Sequence, residues 1–296
     1  MSGSRDARGT DSGAADSGTA DSDAADPRVA EMCTVVSPAV EEALIATVRD
    51  LARGVPAPRH DPFYGLDRRG GVSLRLLERL THHGDFRKYV FVLDAGAGLG
   101  GPARWLALRY GCRVVALDAR RSVVEVASRL SRRAHVAKRV FGVAGSIAAV
   151  PARDGAFTQI WSVEALHHAR DRRRVLSELF RVLRPGSPLA LQEIVRRAES
   201  TPVIGGAWRH GTEDEYLDAL AAAGFTELER EDVTAERTES SSVVLSARAR
   251  FDRMLAAGLP EDAPWRRAAA AAREVAAIVA GPDYRIVHFF ARRPNV

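Results

Sequence analysis

The 296-residue chain carries 43 Lys and Arg against 38 Asp and Glu, a formal net charge of +5, and is 46% hydrophobic, which suits a folded globular protein with a sizeable core. No run of eighteen apolar residues occurs and the first residues are polar, so neither a membrane span nor an export signal is expected and the expected compartment is the cytoplasm. Cys33 and Cys112 are the only cysteines; without disulfide or metal-ligand spacing they are expected as free thiols, with no metal bound.

Lysine is confined to Lys88 and Lys138, and the arginines are scattered among Asp and Glu. The positive balance therefore reads as solvated faces rather than a phosphate-binding stripe, and no nucleic-acid partner is expected.

Residues 1–30 repeat small and acidic residues with almost nothing to bury, so a disordered tail is expected there. Residues 31–86 read as an N-terminal helical segment covering the site. In it, Ser37-Pro38 forms a helix-start signal, and Val40, Leu44, Ile45, Val48 and Leu51 fall on one face. A turn-rich stretch, His60 to Gly65, separates this from a second helical pattern through Leu74, Leu76, Leu77 and Leu80.

From residue 87 to 296 short β-branched runs alternate with helical patterns, the signature of βαβ units and a mainly parallel sheet. Strands are predicted at 90–94, 113–118, 139–143, 157–162, 187–194, 226–232 and 284–292, with helices near 101–110, 121–134, 171–183 and 213–223. Residues 235–281 are Ala- and Arg-rich, break at Gly258-Leu259-Pro260, and read as a helical insertion before the last strand, placed either over a pocket or on the outer face of the sheet.

The first strand, Val90 to Asp94, runs into Ala95-Gly96-Ala97-Gly98-Leu99-Gly100-Gly101 and then a helix. Glycines there permit a tight turn and close ligand approach. The spacing Gly96, Gly98, Gly101 also fits a dinucleotide fingerprint, with Asp118 about twenty residues on in either case. Asp94 distinguishes the two, because a carboxylate at the mouth of this strand repels a pyrophosphate and attracts the cationic amino group of S-adenosylmethionine. Asp118, at the end of the second strand, is placed to accept hydrogen bonds from both ribose hydroxyls. Either carboxylate also has a plainer role open to it, as a helix cap.

From about residue 60 onward the chain resembles the class I methyltransferases of the type 11 group. Asp94 to Gly100 is similar to their first motif, Leu183-Arg184-Pro185-Gly186 to the turn before their fifth strand, Thr212 to Phe225 to the helix and turn before the sixth, and Phe289 to Pro294 to the closing strand. The resemblance implies an α/β, Rossmann-like, seven-stranded mainly parallel sheet with an antiparallel last strand and helices on both faces. It implies S-adenosyl-L-methionine as cofactor, S-adenosyl-L-homocysteine as product, and Ala95, Gly96, Gly98, Ala119 and Ser162 among the cofactor contacts. The chain departs from the family after the third strand, where Gly145-Ser146-Ile147 replaces an acidic pair. Ser146 is left to hydrogen-bond the adenine and Ile147 to pack on its face.

The fourth strand runs into Glu164-Ala165-Leu166-His167-His168-Ala169-Arg170-Asp171. It resembles the family's Glu-x-Leu-x-His-x-x-Asp pattern, which makes His168 rather than His167 the expected base and Glu193, after the fifth strand, its acidic assistant. Tyr64 resembles a residue that closes over the cofactor; a packed aromatic is the other reading. The expected function is methyl transfer to a small-molecule acceptor, with oxygen favoured, as in secondary metabolism. N- or C-methylation is the alternative, and a homodimer stays open. A nicotinamide-dependent oxidoreductase fits less well, since no Tyr-x-x-x-Lys pair exists.

Overall fold

The computed structural model describes residues 38–68, 72–201, 209–237, 241–258, 277 and 280–295. The expectations for residues 1–30, Ser37, Cys33 and most of 259–281 lie outside the described residues. Seven strands form one sheet: β1 (Phe91–Ala95), β2 (Arg113–Asp118), β3 (Val140–Ala144), β4 (Gln159–Val163), β5 (Pro188–Arg196), β6 (Thr226–Asp232) and β7 (Tyr284–Arg292), in the order β3-β2-β1-β4-β5-β7-β6. The first five pair in parallel, and β7 enters antiparallel to both β5 and β6. The β5–β7 ladder is regular from Pro188 opposite Arg292 to Arg196 opposite Tyr284. This is the Rossmann-like arrangement expected, with an antiparallel strand slotted second from the edge.

The helices are α1 (Pro38–Leu51), α2 (Leu74–Leu80), α3 (Gly101–Tyr110), α4 (Arg121–Arg133), α5 (Arg172–Val182), α6 (Glu213–Ala222) and α7 (Ser242–Gly258). Local chemistry fixes their starts. Ser73 caps α2 by accepting the Leu76 N–H, Asp171 caps α5 through Arg174 N–H, and Thr212 with Glu215 forms a reciprocal capping box on α6. Helix α7 is described as far as Gly258, and the rest of the expected break, Leu259-Pro260, lies outside the described residues.

Strand alternation divides the core. Leu93, Ile160, Leu189, Leu191 and Val287 pack against α5 and α6, whereas Val92, Val114, Trp161, Ala190 and Phe290 pack on the opposite face against α2 and α3. A third cluster joins Val40 and Leu44 of α1, Phe63, Tyr64 and Leu66, Leu99 of the glycine turn, Val123, Val126 and Leu130 of α4, and Ala247, Phe251 and Leu255 of α7. The described part of the insertion therefore packs on α1 and α4 beside the glycine turn. Burial of a side chain such as Phe251 or Leu255 contributes about 1.5–3 kcal/mol. No helix among the described residues is long and apolar enough to cross a membrane.

Candidate active site at the carboxyl ends of the strands

The turn after β1 passes through three left-handed glycines, Gly96 (φ 84°), Gly98 (φ 55°) and Gly100 (φ 77°). Its amides point into the protein: Gly96 and Ala97 both donate to the Leu117 carbonyl, Gly98 donates to Asp118 and Gly100 to the Ala97 carbonyl. A pyrophosphate site needs such N–H groups turned toward the ligand, so this geometry disfavours the dinucleotide reading. A Cβ built on Gly98 meets nothing within 4 Å, whereas one on Gly96 comes within 2.3 Å of Ala165 Cβ. Gly98 thus offers bare backbone to an approaching ligand, and Gly96 locks the turn against the end of β4.

Asp118 closes β2 with its carboxylate committed on both sides. Oδ2 accepts from Gly98 N–H and Arg120 Nη2, and Oδ1 from Arg120 N–H and Nε, at 2.8–3.0 Å. Burial works to raise its pKa, but the Arg120 and Gly98 donors outweigh it and hold the carboxyl below its ordinary value. Arg120 must give way before a ribose diol can take the same oxygens. Asp94 is sealed beneath the turn at 1% exposure. Its Oδ2 and Trp161 Nε1 are buried without a hydrogen-bond partner among the described residues. Burial, reinforced by Asp118 and opposed by Trp161 and Arg104, pushes its carboxyl up to about 7.

A group whose folded pKa is raised lends stability fully below its unfolded pKa and loses it as pH rises through the folded value. Ligand-free protein should therefore lose stability relative to Asp94→Asn as pH climbs from about 4 through about 7, by on the order of a few kcal/mol. Urea midpoints of the two proteins at about pH 5 and about pH 8 check this; parallel midpoints would show that Asp94 is already ionised in the fold.

The remaining cofactor candidates separate into two groups. Ala119 is exposed and Ser146 and Ile147 are partly buried beyond β2 and β3; Ser146 Oγ accepts the Ala148 N–H. These line the same edge as Asp118. Ser162 does not: it is fully buried and its hydroxyl donates to the Ala95 carbonyl at 2.7 Å, which ties β4 to β1. Ala95 likewise has a fully buried side chain and a carbonyl occupied by that bond. Tyr64 is also buried, with 1% exposure, its hydroxyl donating to the Val55 carbonyl and its ring in the third cluster. Both Ser162 and Tyr64 serve packing and strand pairing here.

The second half of the site is the turn 164–168 that follows β4. Glu193 is fully buried, and its four acceptor positions are filled: Oε1 takes the Ala165 and Leu166 N–H groups, and Oε2 takes Tyr216 OH and His167 Nδ1. The imidazole held by the carboxylate is therefore that of His167, not His168 as expected. Strand alternation explains this, because Glu193 shares the face of Leu191 and Val195, turned toward α5 and α6, and meets the histidine that points inward. Burial lowers His167 to about 3 and also lowers His168 well below its ordinary value, where the neighbouring His167 adds to the effect. Burial raises Glu193. His168 is partly exposed and its ring lies tilted against His167 at 4.2 Å, and His167 stacks on His210 at 4.7 Å. Glu193 acts as the anchor of the turn, and His168 is the more exposed of its two histidines.

Three more polar residues meet at this edge, of which Glu164 was read only as the first residue of the histidine pattern and Gln192 and His288 escaped sequence reasoning. Glu164 opens the turn with φ 52°, and Gln192 and His288, both fully buried, reach it in a chain of hydrogen bonds. Only the β5–β7 register, which sets Gln192 opposite His288, brings them together.

A methyltransferase-domain family model matches residues 93–191, from β1 to β5. Methyltransferase GfsG of Streptomyces halstedii is 34% identical over 191 residues, covering 61% of this chain and 68% of GfsG. The sarcosine/dimethylglycine N-methyltransferase of Halorhodospira halochloris is 34% identical over 151 residues, 49% of this chain and 54% of that enzyme. Among solved structures, the [4+2]-cyclase SpnF superposes with TM-score 0.62 at 23% identity, covering 87% of this chain and 98% of SpnF, a likeness of fold. The chain belongs to the class I S-adenosylmethionine-dependent methyltransferases, and S-adenosylmethionine is its cofactor. The open face at Gly98 and the carboxylates of Asp94 and Asp118 fit that molecule.

Proposed function

We propose that the enzyme methylates a hydroxyl oxygen of a small molecule, in secondary metabolism in the cytoplasm. When bound, S-adenosylmethionine supplies a methyl group on a sulfonium that already leaves readily, so the protein's tasks are alignment, exclusion of water and removal of the acceptor's proton. The observation that carries the reading is the turn at 164–168, in which Glu193 holds the backbone and His167, and the partly exposed His168 donates its backbone N–H to the carbonyl of Ala165, the residue that Gly96 packs on. In this reading His168 engages the acceptor hydroxyl, Asp118 receives the ribose after Arg120 moves aside, and Ala119, Ser146 and Ile147 flank the adenine. Asp94 contributes a buried negative charge beneath the methionine end.

The sarcosine/dimethylglycine relative favours a second reading, an amine acceptor that needs no base once it arrives neutral. The two are separated by presenting hydroxylated and amine acceptors with the cofactor and locating the added methyl by mass spectrometry and NMR. We expect an O-methyl product, and turnover of His168→Ala reduced by about 100-fold while S-adenosylhomocysteine affinity is retained. Methylation of amines alone, with His168→Ala unimpaired, refutes the hydroxyl reading.

A further inference from the structure

Glu164 sits where β4 gives way to the turn, with φ 52°. A non-glycine residue in the left-handed region is strained, and such strain gathers at functional sites. Its N–H still reaches the Gln192 carbonyl at 2.8 Å, so the backbone continues the sheet while the side chain is turned off the strand. The next residue, Ala165, is the one against which Gly96 is packed, so Glu164 borders the cofactor turn.

Two side chains with no exposed area hold this carboxyl. Gln192 Nε2 donates to Glu164 Oε1 at 3.0 Å, and Gln192 Oε1 accepts from His288 Nε2 at 3.1 Å. The amide can satisfy both contacts in one orientation only, which makes the chain directional: imidazole N–H to amide oxygen, amide N–H to carboxyl oxygen. Burying an amide and an imidazole costs free energy that their hydrogen bonds barely recover. A glutamate that merely faced solvent would need no such support.

We propose that Glu164 is the catalytic residue that receives the acceptor's proton, and that Gln192 and His288 are its positioning residues. This rests on the hydroxyl reading above. As a lone pair of the acceptor oxygen forms the new C–O bond, the C–S bonding pair stays with sulfur. The O–H proton passes to the Glu164 carboxylate, and the resulting carboxyl later releases it to water. His168, whose burial keeps the imidazole neutral, orients the hydroxyl but is a poor place for the proton to remain.

The surroundings agree. Burial pushes Glu164 up to about 7; Gln192 and Arg237 act to lower it and Glu193 to raise it. Behind Gln192, His288 is kept neutral by burial, with Glu231 and Arg79 as the charged groups beyond it. A base with a pKa close to the working pH is the most effective proton acceptor.

The test is Glu164→Gln, which keeps an acceptor oxygen for Gln192 but cannot take a proton. Turnover should fall by about 100- to 10,000-fold with S-adenosylhomocysteine affinity, measured by calorimetry, unchanged. The acidic limb of the wild-type pH profile, at about 7 in the free protein and lower beside a sulfonium, should vanish. Carbon-13 NMR of labelled glutamate supplies a readout independent of turnover: a carboxyl titrating near neutrality in the wild type and missing from the variant. Gln192→Leu should move that titration and the pH limb together. If Glu164→Gln does not fold, Glu164→Asp should retain the limb at reduced turnover, and its loss there overturns the proposal. Wild-type turnover in Glu164→Gln, with His168→Ala inactive, overturns the role of Glu164 and leaves the hydroxyl reading standing. Wild-type turnover in both, with methyl on nitrogen or carbon, overturns the hydroxyl reading itself.

Discussion

Arg104→Ala is expected to destabilise the protein by about 3–5 kcal/mol, the cost of breaking a buried ion pair from one side. The guanidinium is 1% exposed and reaches three elements at once. Nε and Nη2 donate to Asp67 at 3.1 and 2.8 Å, Nη2 also to the Leu99 carbonyl, and Nη1 to Ala127 O and Ser131 Oγ. One side chain of α3 therefore fastens the 61–68 segment, the glycine turn and α4 together, with Phe63 stacked over it at 5.4 Å. Alanine leaves the Asp67 carboxylate, 3% exposed, without its counter-charge and removes the Arg104 donor from the Leu99 carbonyl, while Ala127 O keeps Ser131 Oγ. Urea unfolding measures the loss. A change below about 1 kcal/mol would mean that water replaces the guanidinium and that the three elements do not depend on it. Because Leu99 belongs to the glycine turn, cofactor affinity should fall in the same variant.

Strands β1, β2, β4 and β5 were legible because parallel strands covered on both faces read as short apolar runs; β6, exposed and charged, was legible by its place after the Gly224 turn, and all seven begin or end within about two residues of the predicted place. Helix starts were legible for a different reason: Ser73, Asp171 and Thr212 carry their capping role in the residue itself. The site was only half legible. Asp94, Gly96, Gly98 and Asp118 form a signal of turn and strand end, but the partners of each are not written in it. Nothing near Asp118 in a family pattern says that Arg120 will close on it, and nothing near Arg104 points to Asp67, 37 residues earlier.

The two misplacements in the site have a common cause. Ser162, near the end of β4, and Tyr64, in a turn-rich stretch, stand where a sequence invites a ligand role, yet each has a carbonyl within reach inside the protein. A buried hydroxyl takes whatever acceptor is nearest. The choice between His167 and His168 turned on which face of β5 carries Glu193, and strand period places it with Leu191 and Val195 rather than with Gln192. That assignment was available from the sequence once the inward face of β5 was known. The Glu164, Gln192 and His288 chain was not, since it needs the register of an antiparallel strand that arrives nearly a hundred residues later.

Gly96→Ala and Gly98→Ala should fail in different ways, and the contrast tests what the turn is for. An added Cβ at Gly96 lies 2.3 Å from Ala165 Cβ, a separation that real methyl groups do not reach, and φ 84° is itself hostile to a side chain. Relief requires the end of β1 to part from the end of β4, but Asp94 opposite Trp161 and the Ser162 bond to Ala95 hold those ends in register. The variant should therefore lose fold stability and cofactor binding together, with S-adenosylhomocysteine affinity down by more than about tenfold. Ala165 has no atom to spare short of becoming glycine, so Ala165→Gly is the one neighbouring change expected to restore it in part. At Gly98 the added methyl meets nothing within 4 Å and costs about 1–2 kcal/mol of backbone strain, so the protein should fold. What the methyl does is fill the face on which the ligand must lie against bare backbone. Thermal unfolding should then show a Gly98→Ala protein close to wild type, with calorimetry showing that it no longer takes up the cofactor product. Normal affinity in that variant would mean that the ligand does not approach this face of the turn.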